Sequence, residues 1–166
     1  MLKNIFMKEN YMKRNPKLVS TISKILLLSD GSKTAKRAAA YTVDLAKQLR
    51  ASIIALSVID QRSLIAQTVS VSETPRQTIE PMEYYLKDAA EGYTGEIKKL
   101  CDEKGVVATI SIQRGNPAEE IVKEAKRSKA DLIVMGSQGR SDLSATVLGS
   151  VSYGVIGSDI GWCRIL

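Results

Sequence analysis

Short, unbroken apolar runs that alternate with stretches of one-sided hydrophobicity constrain this chain more than any other feature. Ile25, Leu26, Leu27 and Leu28 form one such run, and Leu132, Ile133, Val134 and Met135 form another. Four consecutive apolar residues leave no polar face for water, so each run reads as a strand covered on both sides. Residues 52–59 and 106–112, rich in Ile and Val, read as two more strands. Between the first two strands, Ala35, Ala38, Ala39, Val43, Ala46 and Leu49 recur at helical spacing. Met82, Leu86, Ala89, Tyr93, Ile97 and Leu100 do the same over residues 81–103, in a helix weakened locally by Gly92 and Gly95. Ser32 is a good N-cap for the first helix. Asn116 is another, with Pro117 at the first helical position and Glu119 and Glu120 at the positive end of a helix running to about residue 127. Residues 60–80 are polar and end at Pro81, so they read as a long loop, a feature usually functional or disordered.

Four strands separated by helices require parallel pairing through right-handed crossovers. The expectation is one doubly wound α/β domain over residues 21–166, behind a basic, flexible tail of residues 1–20. At 166 residues the chain can bury a self-sufficient core. The net charge of +6 suggests nucleic acid until it is located. The tail carries Lys3, Lys8, Lys13, Arg14 and Lys17 against Glu9 alone, and so holds +4 of it. The rest lacks the basic stripe with interleaved aromatics that RNA-binding sheets use, so no nucleic-acid partner is expected. No apolar run nears the roughly 18 residues that cross a bilayer, and no apolar segment follows the basic N-terminus as in a signal peptide. A cytoplasmic protein without a membrane partner is expected. Cys101 and Cys163 match no metal or redox spacing and read as reduced thiols. Histidine is absent, which removes the commonest general base and metal ligand. No residue is assigned a catalytic or metal-ligating role.

The informative stretch begins where the fourth strand stops. Gly136, Gly139, Gly149 and Ser150 give the pattern Gly-x2-Gly-x9-Gly-Ser. In an open α/β sheet, ligands sit at the carboxyl ends of strands near the point where strand order reverses. Glycines there let backbone N–H groups approach a phosphate. A helix over residues 151–157 would add its N-terminal amides; Ser150 can bond a phosphate oxygen or cap that helix, and Arg140 can offer charge-assisted contacts. Asp30, at the end of the first strand, can accept from ribose hydroxyls or an adenine amino group, or hold a metal ion bridging phosphates. It can equally form the turn with Gly31. Val58 can present backbone groups to an adenine edge, but on its own reads as a core valine.

Together the sequence 28–32 (Leu-Ser-Asp-Gly-Ser), the sequence 57–60 (Ser-Val-Ile-Asp), Gly115-Asn116-Pro117, the run 130–137 and the glycine motif resemble the universal stress protein family. The match covers roughly residues 22–160, and the combination is more specific than any piece. The resemblance implies a five-stranded parallel sheet of order 3-2-1-4-5 with helices on both faces, and a homodimer. It further implies the family's ATP-binding branch, with Mg or Mn accompanying the nucleotide. Ser29, Asp30 and Val58 would then line the adenosine pocket, and Met135, Gly136, Gly139, Gly149, Ser150 and Val151 would hold ribose and phosphates. The chain departs from the family in two places. Its end lacks the Pro-led, Val-rich fifth strand, so that strand is expected to be short or atypical. Tyr153 and Gly154 stand where the family often has Asn.

The leading functional reading is a stress-response regulator that uses ATP as a switch, with little or no hydrolysis, since no Walker-type Gly-Lys-Ser/Thr grips the β- and γ-phosphates. One alternative is an enzyme that splits ATP at its α-phosphate, although the paired glycines of such enzymes are missing after the first strand. Another is a partner-binding dimer with a vestigial pocket. A nicotinamide dehydrogenase is disfavoured because no Gly-x-Gly-x-x-Gly follows the first strand.

Overall fold

A computed structural model of the chain describes residues 22–60, 75–137, 148–158 and 163–165. Among these residues the strands β1 (Lys24–Leu28), β2 (Ser52–Asp60), β3 (Ala108–Gly115) and β4 (Leu132–Met135) form a parallel sheet. Their order is β3-β2-β1-β4. Three residues, Cys163–Ile165 (β5), lie parallel to β4, with Cys163 opposite Ile133. The helices are α1 (Lys33–Leu49), α2 (Pro75–Lys104), α3 (Pro117–Ser128) and α4 (Ser150–Ile156).

The apolar run of β1 is covered on both sides, as its composition requires. Leu26 and Leu28 share one cluster with Leu56, Ile133, Ile121 and Val155, beneath α3 and α4. Ile25 and Leu27 share the other with Ile53, Val134, Val43 and Ile97, beneath α1 and α2. Full burial of one such side chain contributes about 1.5–3 kcal/mol, so these two layers supply most of the reason the sheet forms. Both expected caps are made: the Ser32 hydroxyl accepts from the Ala35 amide at 3.1 Å, and the Asn116 side chain accepts from the Ala118 amide at 3.1 Å, with Pro117 opening α3.

Two boundaries differ from the sequence expectation. The long helix begins at Pro75, so residues 75–80 belong to α2 and not to a loop. Proline suits a first helical position, and the helix continues through Pro81 although that residue has no N–H to donate to the preceding turn. The third strand covers Ala108–Gly115, about two residues later than its valines suggest. Its limits follow the long partner β2, which pairs with it from Ile53 opposite Ala108 to Asp60 opposite Gly115. Gln113, Arg114 and Gly115 are thereby drawn into the strand. Expectations for the basic tail, for most of loop 60–80, and for Gly139 and Arg140 fall outside the described residues. No helix among the described residues is long and apolar enough to cross a membrane.

Candidate functional site

Strand order reverses at β1: β2 and β3 extend to one side, β4 to the other. A cleft of about 420 Å³ opens there, at the carboxyl ends of β1, β2 and β4. Its size lies within the range of small-molecule sites.

The β1 side is built by a tight turn. Ser29 extends the ladder by donating its amide to the Leu56 carbonyl at 2.9 Å. Its hydroxyl accepts from the Gly31 amide at 3.3 Å, and Asp30 Oδ1 accepts from the Ser32 amide at 3.0 Å. Gly31 adopts φ +79°, which a side chain rarely tolerates. A Cβ there would also overlap Cε1, Cζ and Cδ1 of Tyr93. The turn role of Asp30 is therefore made, while the residue also lines the cleft beside Ser29. Val58 packs on the α3/α4 core, as a core valine does, and it also lines the cleft.

The β4 side is built by close backbone approach. A Cβ on Gly136 would lie 2.9 Å from Thr34 Oγ1 and 3.2 Å from the Ala35 nitrogen, so the end of β4 can press on the start of α1 only as glycine. Beyond residues 138–147 the chain returns to the same spot. The Gly149 amide donates to the Ser137 carbonyl at 2.8 Å, and the Ser152 hydroxyl donates to the Gly136 carbonyl at 3.1 Å. Two members of the glycine motif, 13 positions apart in sequence, thus meet at the cleft with Met135, Ser150 and Val151. Gly149 itself is the N-cap of α4; Ser150 opens the helix and makes no cap.

Of the ten residues the sequence singled out, Ser29, Asp30, Val58, Met135, Gly136, Gly149, Ser150 and Val151 line one cavity. Sequence reasoning missed Tyr93, Ile121 and Ser152, which line it too. Tyr93 was absorbed into the apolar stripe of its helix; Ile121 and Ser152 carried no signal of their own, and the burial of Ser152, a polar residue in the first turn of α4, emerges only in the fold. Tyr153, at the family's usual Asn position, is 74% exposed and is not among the described residues lining the cleft. Gly154 has a packing reason, since a Cβ there would lie 2.8 Å from Ala118 Cβ on α3. The charged side chains among the described lining residues are Asp30 and Asp60. No group of three or more metal-ligating side chains occurs among the described residues.

The sequence profile of the universal stress protein family matches residues 21–158. Universal stress protein MJ0531 of Methanocaldococcus jannaschii is 34% identical over 133 residues, covering 80% of this chain and 75% of its own. The solved structure of MJ0577 superposes with a TM-score of 0.75 at 29% identity, covering 87% of this chain and 95% of that one. Two more distant structures share the fold: a universal stress protein in complex with cAMP (20% identity, TM-score 0.57, 87% and 96% covered) and an Arabidopsis thaliana family member with AMP bound (18%, 0.61, 87% and 90%). With a family profile spanning most of its length and a sheet of matching architecture, this chain belongs to the universal stress protein family.

Proposed function

We propose that the cleft binds an adenine nucleotide, ATP with Mg2+ or Mn2+, and that the protein is a stress-response regulator switched by nucleotide occupancy with little or no hydrolysis. The observation that carries this reading is the meeting of Gly136 and Gly149 with the Ser29–Asp30 turn and Val58 around one cavity at the switch point. The nucleotides held by the two distant family structures, cAMP and AMP, support the adenine class. Carboxylates are the charged groups among the described lining residues, which favours a phosphate chain that arrives with its own divalent cation. Arg140, beyond the described residues, is the candidate for a direct phosphate contact. The working form is a cytoplasmic homodimer, a state that sedimentation would report.

The test is thermal melting with and without millimolar Mg-ATP, on wild type and on Gly149→Val. At a hundredfold excess over the dissociation constant, binding stabilises by about 2.7 kcal/mol, equivalent to roughly 5–10 °C for a domain of this size. The wild type should show that rise and the variant should lose it. No rise in the wild type would refute the nucleotide site and favour a partner-binding dimer with a vestigial pocket. Hydrolysis at about 1–100 per second would refute the switch reading, and AMP with pyrophosphate among the products would point to α-phosphate cleavage.

A further inference from the structure

We infer that Tyr93 is the wall on which the flat base of the nucleotide rests, so that this ring governs the base's share of the affinity; the inference rests on the nucleotide reading above. Along α2, Ala90, Thr94 and Ile97 are buried to 3% exposure or less, whereas Tyr93 stays half-buried because it faces the cleft. Leu86, Ala90 and Tyr93 stand at i, i+4 and i+7, one continuous face of the helix, and all three line the cavity. The ring is held in place from below. It rests on Gly31, whose missing Cβ is the space it occupies, and so it is fixed next to the Asp30 turn.

The cleft is chemically polarised along the strand ends. α2 packs against β2 and β3, and its Tyr93 rests on Gly31 just after β1, so the ring stands on the half of the cleft that β1 and β2 form. Gly136, Gly149 and Ser150 gather at the end of β4, on the other side of β1. A ligand that spans the cleft therefore meets the Tyr93 ring, Val58, Ile59 and the carboxylates of Asp30 and Asp60 at one end, and glycine backbone with hydroxyls beside Met135 and Val151 at the other. The carboxylates disfavour a phosphate chain at the first end. A planar heteroaromatic ring gains from stacking or edge-to-face contact at the first end, while a phosphate chain gains there nothing that it finds at the second. The ring face discriminates between the two halves of a nucleotide and so fixes which way the molecule lies.

Calorimetric titration of AMP and of Mg-ATP into wild type, Tyr93→Phe and Tyr93→Leu tests this. Stacking of a base on an aromatic side chain corresponds to a loss of roughly 5- to 150-fold in affinity when the ring is removed. The Leu variant should lose that factor for both nucleotides alike, and the Phe variant should stay within about twofold of wild type because the ring persists. Undiminished binding by the Leu variant overturns the proposal, as does a loss confined to ATP, which would place the ring beside the phosphates. If the Leu variant fails to fold by circular dichroism, the wild-type AMP complex decides: NOEs between the base protons and the Tyr93 ring support the proposal, and their absence overturns it. A wild type that binds neither nucleotide removes the nucleotide reading itself, and the proposal with it.

Discussion

A methyl group added at Gly136 would meet the Ala35 nitrogen at 3.2 Å, and a backbone atom at a helix start cannot step aside cheaply. The same methyl at Gly92 would meet nothing within 4 Å. The two substitutions should therefore move stability in opposite directions. Gly136→Ala should cost about 1–3 kcal/mol, as overpacking does. Gly92→Ala, on an exposed helix position, should add about 0.5–1 kcal/mol by removing backbone freedom from the unfolded chain. Urea unfolding of both variants checks the pair, and equal effects of the same sign would contradict it. In the sequence, both residues were simply glycines: one in a motif, one weakening a helix. The motif's position after β4 was legible, but the contact with Thr34 and Ala35 was not, because nothing in a linear pattern says which helix presses on a strand end. Tyr93 was hidden for a related reason. An aromatic residue in an apolar stripe obeys the core pattern whether it faces the core or a cleft.

Elements were legible where local chemistry decides them. Ser32 and Asn116 cap the helices they were expected to cap, and Asn116→Ala should cost about 1 kcal/mol by urea unfolding. Element limits set by a distant partner were not legible: β3 ends where β2 ends, at Asp60 opposite Gly115, and not where its own apolar residues end. A further tie of this long-range kind joins the start of β1 to the entry of β4. Asp131 Oδ2 accepts from the Ser23 amide at 2.9 Å, the Ser23 hydroxyl at 3.0 Å and the Lys24 amide at 2.9 Å. Partial burial pushes the Asp131 carboxyl up, but these hydrogen bonds and the Lys24 charge outweigh it and hold it below its ordinary value. A depressed carboxyl stabilises the fold above the unfolded-state value of about 3.9, and that contribution is lost as pH falls through the lower folded value. The stability gap between wild type and Asp131→Asn should accordingly be widest above about pH 5 and close towards pH 2. Urea midpoints measured across that range check it; a gap that stays constant would mean the ionised carboxylate contributes nothing.

At the scale of the molecule, alternating elements announced a parallel sheet with crossovers, but strand order came only through the family resemblance, because parallel pairing alone does not say on which side of β1 the chain returns. The observed order β3-β2-β1-β4 puts the cleft where two helical layers meet across the sheet. Ligand contacts draw on both layers, and this gives a test of cooperativity. Cys101 lies fully buried in the α1/α2 core, away from the lining of the cleft. Burial pushes its thiol up, the Asp102 charge adds to this, and Lys98 only partly offsets them. The folded protein therefore keeps Cys101 protonated and inaccessible at neutral pH, and alkylation of this residue requires opening. If the two layers open as one unit, a nucleotide at a hundredfold excess over its dissociation constant lowers the open population about a hundredfold. Alkylation of the Cys101 peptide, followed by mass spectrometry under conditions where closing outpaces labelling, should slow by that factor. Slowing that falls short of this and matches only the factor that Tyr93 carries would mean that α2 opens alone, leaving β1, β4 and the rest of the ligand in place. A rate unchanged by a nucleotide that calorimetry shows to be bound would mean that α2 opens without losing a ligand contact, which counts against the Tyr93 proposal as well.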